Sequence, residues 1–150
     1  MIRLRRPKSD DESIWLIIKS ELLPRSHLAW DPEQVRKELP RRLKGITYVA
    51  TNRLHRTVGF VHLLVQEQTL VIDMLAVSRQ AQGQGYGRQL LNRAEQYGRK
   101  HRCRSSRMLV DYGNREAERF YERNGYRLIR YVAAVVCNEM EKTFFSYKKA

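Results

Sequence analysis

Hydrophobic and polar positions in the first half of the chain predict a strand, two helices and a meander. Residues 2–5 alternate as a strand does, and an amphipathic helix with acidic capping residues follows over about residues 10–23, ended by Pro24. A second helix is predicted over residues 31–43, because an Asp-Pro pair begins it and Gly45 follows its end. Three β-rich runs come next, at residues 46–51, 57–65 and 69–77. Their short polar connections indicate an antiparallel meander.

The second half of the chain predicts helices that alternate with strands. A helix that begins near residue 86 has an apolar face formed by Tyr86, Leu90, Leu91, Ala94 and Tyr97. A strand at residues 107–110 follows, then a helix that Asn114 caps and an Asn-Gly pair ends. Two last strands are predicted over residues 126–136 and 143–147. The crossover from the strand ending at residue 77 through a helix to residues 107–110 requires a parallel pair, and hence a mixed sheet with helices packed on it.

Length and charge limit the possible architectures and partners. A chain of 150 residues with 42% hydrophobic content predicts one domain over residues 1–150, without internal repeats or linkers. Lysine and arginine number 29 against 16 acidic residues, so the net charge is +13. Such a charge attracts a polyanionic partner or an acidic substrate, and does not by itself decide between them.

The sequence predicts a cytoplasmic protein. The N-terminus has no apolar segment typical of a secretory signal, and no run approaches the roughly 18 apolar residues of a membrane span. Cys103 and Cys137 are isolated from each other and from any histidine cluster. They are interpreted as reduced thiols in a reducing compartment, in preference to catalytic or metal-binding cysteines, and no metal is expected.

The glycines of residues 82–88 (Gln-Gly-Gln-Gly-Tyr-Gly-Arg) lie between a predicted strand and a predicted helix. Glycines let a backbone turn tightly and approach a ligand, and the first N–H groups of a helix lack intrahelical partners. The segment therefore predicts an anion site, with diphosphate as the ligand class. A P-loop is excluded because no Gly-Lys-Ser/Thr ending follows, and a dinucleotide fingerprint is disfavoured because Arg88 replaces its third glycine.

These residues resemble motif A of the GNAT superfamily of N-acetyltransferases, which reads Gln/Arg-x-x-Gly-x-Gly/Ala after a strand. Gln82, Gly85 and Gly87 fill its positions. A second segment is similar to motif B of the same family, through Asn114, Ala117, Phe120, Tyr121, Glu122, Gly125 and Tyr126. The resemblance implies an α/β (α+β) fold, with a mostly antiparallel sheet of about six or seven strands, about four helices and a splayed parallel pair that binds coenzyme A.

The resemblance also implies where acetyl-CoA binds. Backbone groups of the open strand edge serve the pantetheine amides, and the amides of residues 82–88 hold the pyrophosphate, with Arg88 as an additional donor. Asn114 has two compatible roles, as a helix cap and as a side-chain contact to pantetheine. The cofactor-binding residues predicted in this way are Leu75, Ala76, Val77, Gln82, Gly83, Gln84, Gly85, Tyr86, Gly87, Arg88 and Asn114.

Two residues are predicted to be catalytic. The helical pattern alone places Tyr121 in the core, whereas the resemblance makes it the acid that protonates the leaving thiolate. Asp73 interrupts an apolar strand, and strand alternation puts it on the face of Val71, Leu75 and Val77. It is either the general base or the partner of an arginine in a buried ion pair. His62 is interpreted as structural, and Glu67, Glu139 and Glu141 are unplaced alternatives for the base.

The predicted function is acetyl-CoA-dependent N-acetylation of a primary amine, on a small molecule or a protein, by direct attack in a ternary complex without a metal. The alternative is a basic nucleic-acid-binding or ribosome-associated module, which no sequence motif supports. A cationic acceptor such as a polyamine, an aminoglycoside or a protein N-terminus would suit the acids of the first two helices. These are Asp10, Asp11, Glu12, Glu21, Asp31, Glu33 and Glu38. The protein is expected to be a monomer or a homodimer.

Overall fold

The computed structural model describes residues 1–144 and places seven strands of this range in one mixed sheet. The strands are β1 (Ile2–Leu4), β2 (Ile46–Thr51), β3 (Thr57–Gln66), β4 (Thr69–Val77), β5 (Ser105–Asp111), β6 (Arg127–Val132) and β7 (Cys137–Thr143). The helices are α1 (Pro7–Ile17), α2 (Pro32–Arg42), α3 (Tyr86–Lys100) and α4 (Arg115–Arg123). The predicted fold class is confirmed.

The strands follow one another across the sheet in the order β1-β2-β3-β4-β5-β7-β6. Every neighbouring pair is antiparallel except β4 and β5, which the crossover through α3 makes parallel. These two strands pair only from Thr69 with Ser105 to Ile72 with Met108. Each then continues beside its other neighbour, so β4 ends opposite Gly59 of β3 and Asp111 ends opposite Cys137 of β7. The parallel pair therefore opens into a gap.

Two hydrophobic cores cover the two faces of the sheet. On one face, α3 and α4 bury Leu90, Leu91 and Tyr121 against a cluster that includes Leu70 and Ile72 of β4. On the other face, α1 and α2 pack a second cluster, which includes Ile14, Trp15, Leu39, Phe60 and Ala76. The caps predicted for α2 and α4 are present, since Asp31 accepts from the Glu33 amide and Asn114 from the Ala117 amide. The gap between β4 and β5 thus lies between two helical layers.

The segment after α1 differs from the single predicted helix over residues 10–23. The α-helix begins at Pro7, and a π-helical turn (Ile18–Leu22) and a 3-10 turn (Leu23–Arg25) replace its end. Asp10 is consequently inside the helix, where its carboxylate accepts from the Arg6 amide at 2.6 Å and binds the Arg3 guanidinium. Local propensity does not reveal a π-helical turn, since it differs from the α-helix only by its wider hydrogen-bond spacing.

The C-terminal strands were predicted with wrong boundaries. The strand predicted over residues 126–136 ends at Val132, because a 3-10 turn follows and Val136 has a left-handed φ of 53°. The last strand begins at Cys137, not at Thr143, and the predicted residues 145–147 lie outside the described part of the chain. The hydrophobic pattern did not reveal the start of this strand, because several of its residues are charged. Glu139 and Glu141 are bonded to Arg130 and Arg107 on neighbouring strands, while Asn138 donates to Glu118 of α4 and Met140 is in the core cluster.

Candidate active site

The gap between β4 and β5 opens into a cleft of about 1150 Å³ that reaches both helical layers. Within residues 1–144, β4 keeps its bonds to β3 beyond Ile72 but pairs with no strand on the side of β5. The segment Leu75–Val77 therefore lies along an open strand edge, where, among the described groups, only the carbonyl of Val77 is bonded, by the Gln82 side chain. Such an edge binds a ligand that carries its own amides, as an added strand would.

The glycine-rich segment forms one end of the cleft, and α3 begins directly after it. Gly83 and Gly85 have φ values of +79° and +90°, which L-residues rarely adopt. The first N–H that closes the helix is that of Gln89, which bonds the carbonyl of Gly85. Within residues 1–144, none of the six N–H groups from Gly83 to Arg88 donates to another group. With the positive end of α3 behind them, these N–H groups are arranged as an anion-binding site requires.

The side chain of Gln82 holds this segment in place. Its Nε2 donates to the carbonyl of Val77 at 2.9 Å and to Oε1 of Glu21 at 3.0 Å, and its own N–H is bonded to Arg79. Glu21 also faces Arg79, whose guanidinium lies 3.4 Å from the same oxygen. Glu21 is only 8% exposed and lies in the π-helical turn. Sequence analysis missed this contact, because 61 residues separate Glu21 from Gln82.

Tyr121 lies in the cleft from the α4 side, as part of the core cluster and of the cleft wall at once. Both sequence interpretations are therefore compatible. No other group in residues 1–144 hydrogen-bonds the Tyr121 hydroxyl. Every fully buried polar side-chain atom in that range has a hydrogen-bond partner, so the Tyr121 oxygen is not one of the fully buried atoms. Burial raises the pKa of the Tyr121 phenol far above its ordinary value near 10. The phenol is thus protonated at neutral pH and able to donate.

A buried polar network supports Tyr121 from behind. The Tyr126 ring meets the Tyr121 ring edge-on, with 5.6 Å between the centroids. The Tyr126 hydroxyl lies 2.7 Å from Oε2 of Glu95 and 2.9 Å from Oγ of Ser106, and Lys142 binds the other oxygen of Glu95. Burial and the neighbouring Glu95 carboxylate raise the pKa of Tyr126. This network ties α3, β5 and β7 to the start of β6.

Asp73 is at a β-bulge, which corrects its predicted orientation. Leu63 is opposite Ile72 and His62 is opposite Met74, so Asp73 has no partner on β3. The extra residue inverts the alternation. Leu75 and Val77 consequently pack with the α3 core, and Asp73 is on the opposite face with α2, where Oδ1 lies 3.4 Å from the Arg42 guanidinium. An ion pair with an arginine exists, but it is not the predicted buried pair, because the Arg42 side chain is about half exposed. The Asp73 carboxylate also lines the cleft.

His62 lies beneath Asp73 and is buried, as expected for a structural histidine. The Thr47 hydroxyl donates to the carbonyl of Leu43 and has no second proton, so it accepts from Nδ1 of His62 at 2.7 Å. Nε2 lies 3.8 Å from Oδ2 of Asp73. Burial has the largest influence on the pKa of His62 and lowers it, while the Asp73 carboxylate acts in the opposite direction and raises it.

A second carboxylate, Asp111, faces the cleft from the end of β5 and was not predicted as a base. Burial raises its pKa, and Sγ of Cys137 lies 3.5 Å from its Oδ1. Burial and Asp111 together raise the pKa of the Cys137 thiol to about 11. The three unplaced alternatives, Glu67, Glu139 and Glu141, do not line the cleft.

The cleft brings together nearly all of the predicted site residues. Asn114 lines it while its Oδ1 caps α4, and no other group of the described chain bonds its Nδ2. Of the predicted set, Gln84 alone is not part of the cleft lining, and its side chain donates to the carbonyl of Gln80. Within residues 1–144, no cluster of three or more histidine, cysteine or acidic side chains is arranged to hold a metal. No helix in this range is long and apolar enough to span a membrane.

An open strand edge followed by a glycine-rich helix start suits a ligand with both amides and a diphosphate, the chemistry of a coenzyme-A-binding protein. The chain belongs to the acetyltransferase (GNAT) family, whose family model matches residues 15–126. Its family membership makes it an enzyme of the acetyltransferase type. None of the curated proteins matches the chain in sequence.

Solved structures share the fold at low sequence identity. A GCN5-related N-acetyltransferase from Kribbella flavida superposes with a TM-score of 0.82 and 17% identity, over 96% of this chain and 97% of that one. PaiA N-acetyltransferase from Thermoplasma acidophilum, in complex with coenzyme A, gives 0.76 and 17%, over 96% and 99%. A nourseothricin acetyltransferase gives 0.64 and 22%, over 65% of this chain and 64% of that one. At these identities the likeness establishes the fold, and the residue roles and the charge-based alternative stay predictions.

Proposed function

We propose that this protein transfers an acetyl group from acetyl-CoA to a primary amine, with both substrates bound in the cleft at once. The observation that carries the proposal is the continuity of three features: the open edge of β4, the six free N–H groups that follow it, and the Tyr121 phenol in the same cleft. A structural relative with the same fold was crystallised with coenzyme A, which supports this choice of ligand.

The residues present fit the pantetheine and the diphosphate of acetyl-CoA. The edge from Leu75 to Val77 would hold the two pantetheine amides, and Nδ2 of Asn114 is available to the same arm. The N–H groups of residues 83–88 would hold the diphosphate, with the Arg88 guanidinium beside them. When bound, acetyl-CoA supplies a thioester whose carbonyl carbon is open to attack by an amine.

The bound coenzyme divides the cleft into two sides. The coenzyme side consists of Leu75–Val77, residues 82–88 and the cleft-facing part of α4. The acceptor side consists of residues 18–30 and α2, in the helical layer on the opposite face of the sheet. Because the coenzyme occupies the first side, an amine reaches the thioester from the second. Both substrates can therefore be held without a covalent enzyme intermediate.

Tyr121 and Asp73 supply the two proton transfers in this proposal. Asp73 accepts a proton from the acceptor ammonium, and the freed amine attacks the carbonyl carbon. The carbon–sulfur bond breaks, and Tyr121 donates its phenolic proton to the departing sulfur. The attacking nitrogen releases its second excess proton to solvent, Asp73 releases the proton that it accepted, and one proton from solvent restores the phenol. An ammonium and a thioester thus give an amide, a thiol and one proton. Burial makes Tyr121 a weak acid, but the same dry cleft also disfavours a thiolate and raises its affinity for a proton.

The first experiment measures thermal unfolding with acetyl-CoA and with ADP, which carries a diphosphate but neither pantetheine nor thioester. Acetyl-CoA at about 100 times its Kd should add roughly 2.7 kcal/mol to the free energy of unfolding, well beyond the effect of ADP at the same concentration. Thiol release should then depend on an added amine. A protein whose unfolding is unchanged by millimolar acetyl-CoA would contradict the proposal.

The assignment of the base is tested with a matched pair of carboxamides. Asp73→Asn and Asp111→Asn alter the two carboxylates that face the cleft from β4 and β5. We expect turnover to fall about 10²-fold or more in Asp73→Asn and much less in Asp111→Asn, with acetyl-CoA still bound by both. The opposite order would transfer the role of the base to Asp111.

A further inference from the structure

The acceptor side of the cleft presents apolar side chains around its opening. Leu22, Leu23 and Val35 are partly exposed there, while Leu28 and Trp30 are 39% and 45% exposed. A single exposed apolar side chain is common, but a group of them around one opening is typical of a binding site. These five residues form what we call the apolar rim.

Local hydrogen bonds fix the most exposed part of the apolar rim. Oγ of Ser26 accepts from the Trp30 indole Nε1 at 2.7 Å and from the Leu28 amide at 3.1 Å. One hydroxyl thus holds the indole and the turn that carries Leu28. The aromatic ring is positioned before any ligand arrives, so it covers an apolar group at little entropic cost.

The charges of the cleft do not match a polycation. The acids predicted to favour a cationic acceptor are mostly elsewhere, and of the seven only Glu21 and Glu38 line the cleft. Glu21 is engaged by Gln82 and Arg79, and Glu38 by Gln34. Among described residues the cleft lining has five carboxylates and four arginines, so it is close to neutral. The cleft can accept one ammonium group beside Asp73, whereas a polycation would bring its further ammonium groups close to the guanidinium groups of the lining.

We propose that the acceptor is a primary amine attached directly to a large apolar group, and that Trp30 and Leu28 select that group. The inference rests on the proposed function and narrows it. A free arylalkyl or alkyl amine has this chemistry, and so does a peptide whose first residue has a large apolar side chain. Aminoglycosides and polyamines do not.

The test compares kcat/KM for matched acceptors. The free amines are phenethylamine, hexylamine, spermidine and an aminoglycoside, and the peptides differ only in a first residue of Phe or Ser. We expect the apolar member of each set to exceed its polar counterpart by about 10- to 100-fold, the range that burial of one large apolar group gives. Comparison of phenethylamine with the Phe peptide then distinguishes a small molecule from a peptide as the source of the amine.

Variants connect the preference to the apolar rim. Trp30→Ala should remove most of the advantage of the apolar acceptor through its KM, and Trp30→Phe should keep much of it, while acetyl-CoA binds as before. Leu54→Ala is the control, because Leu54 is exposed on the β2–β3 turn and does not line the cleft. Spermidine or the aminoglycoside as the best acceptor would overturn the inference but not the proposed function. Failure to bind acetyl-CoA would overturn both.

Discussion

The coenzyme side of the cleft is built mainly from backbone groups, whereas the acceptor side is built mainly from side chains. The coenzyme side offers the edge of β4 and six N–H groups, which depend on glycines and on the position of a helix start. The acceptor side offers Trp30, Leu28 and Asp73, which residues 18–30, α2 and a β-bulge hold in place. Backbone groups suit a constant ligand, while side chains are free to vary with the acceptor.

Glu21 joins the two sides. It lies in the π-helical turn of the acceptor side, but its carboxylate receives Gln82 and Arg79 from the glycine-rich segment. The two sides should therefore respond differently to substitution. Substitutions on the coenzyme side should weaken acetyl-CoA binding or slow the chemical step, whichever amine is used. Substitution of Glu21, which connects the two sides, should weaken acetyl-CoA binding less.

The largest effect is expected from Tyr121→Phe, which removes only the phenolic oxygen. If Tyr121 is the acid, kcat should fall about 10²- to 10⁴-fold for every acceptor. Because no described group bonds that hydroxyl, the variant should fold with unchanged stability and bind acetyl-CoA normally. Thiol release measures the first expectation and calorimetric titration the second. Tyr131→Phe, at an exposed tyrosine outside the cleft, is the control. Equal turnover by both variants would remove Tyr121 from the chemistry.

Sequence patterns predicted the local structure of the coenzyme side, because the determinants of that structure lie within a few neighbouring residues. Helix caps such as Asn114, glycines with positive φ and strand–helix boundaries are all encoded within a few neighbouring residues. The crossover through α3 also required β4 and β5 to be parallel, which the structure confirms. Family resemblance then indicated the ligand, since a glycine-rich helix start alone does not distinguish one diphosphate from another.

The acceptor side, the network beside Tyr121 and strand β7 were predicted poorly because they depend on long-range contacts and irregular backbone. The bulge at Asp73 inverts the strand alternation used to orient that residue, and no single residue type encodes a bulge. The contact of Glu21 with Gln82 and the network around Glu95 join segments far apart in sequence. In β7, the charged residues that pair across strands make the sequence look as polar as that of a loop. Each of these features is fixed by tertiary packing rather than by local propensity.

A smaller effect is expected from Gly85→Ala. Gly85 has a φ of +90°, and an alanine there costs about 1–2 kcal/mol or shifts the N–H groups that follow. The Kd of acetyl-CoA should rise about tenfold, because 1.4 kcal/mol of lost binding free energy has that effect. Gly45→Ala introduces the same backbone strain at a φ of +97°, but lies outside the cleft lining. A similar loss of affinity in both variants would show that general destabilisation, not the anion site, is responsible.

A smaller effect is expected at the joint between the two sides. Glu21→Ala removes the acceptor for Gln82 and the partner of Arg79, so the glycine-rich segment should be held less firmly. We expect the KM of acetyl-CoA to rise about three- to tenfold with little change in kcat, and Glu21→Gln to recover part of the loss through its amide oxygen. Glu33→Ala, an acid of α2 outside the cleft lining, controls for charge. If the amine KM rose instead, Glu21 would belong to the acceptor side alone.

The smallest effect concerns the support of Asp73 and appears in stability, not in activity. Burial lowers the pKa of His62 below its unfolded value near 6.5, so the unfolded chain binds more protons as the pH falls. The contribution of neutral His62 is therefore complete above about pH 6.5 and is lost progressively below it, with a slope of at most about 1.4 kcal/mol per pH unit. Urea unfolding at several pH values should show a flatter dependence for His62→Gln than for His101→Gln, which alters an exposed histidine. Parallel curves for the two variants would mean that folding does not change the protonation of His62, the residue beneath Asp73.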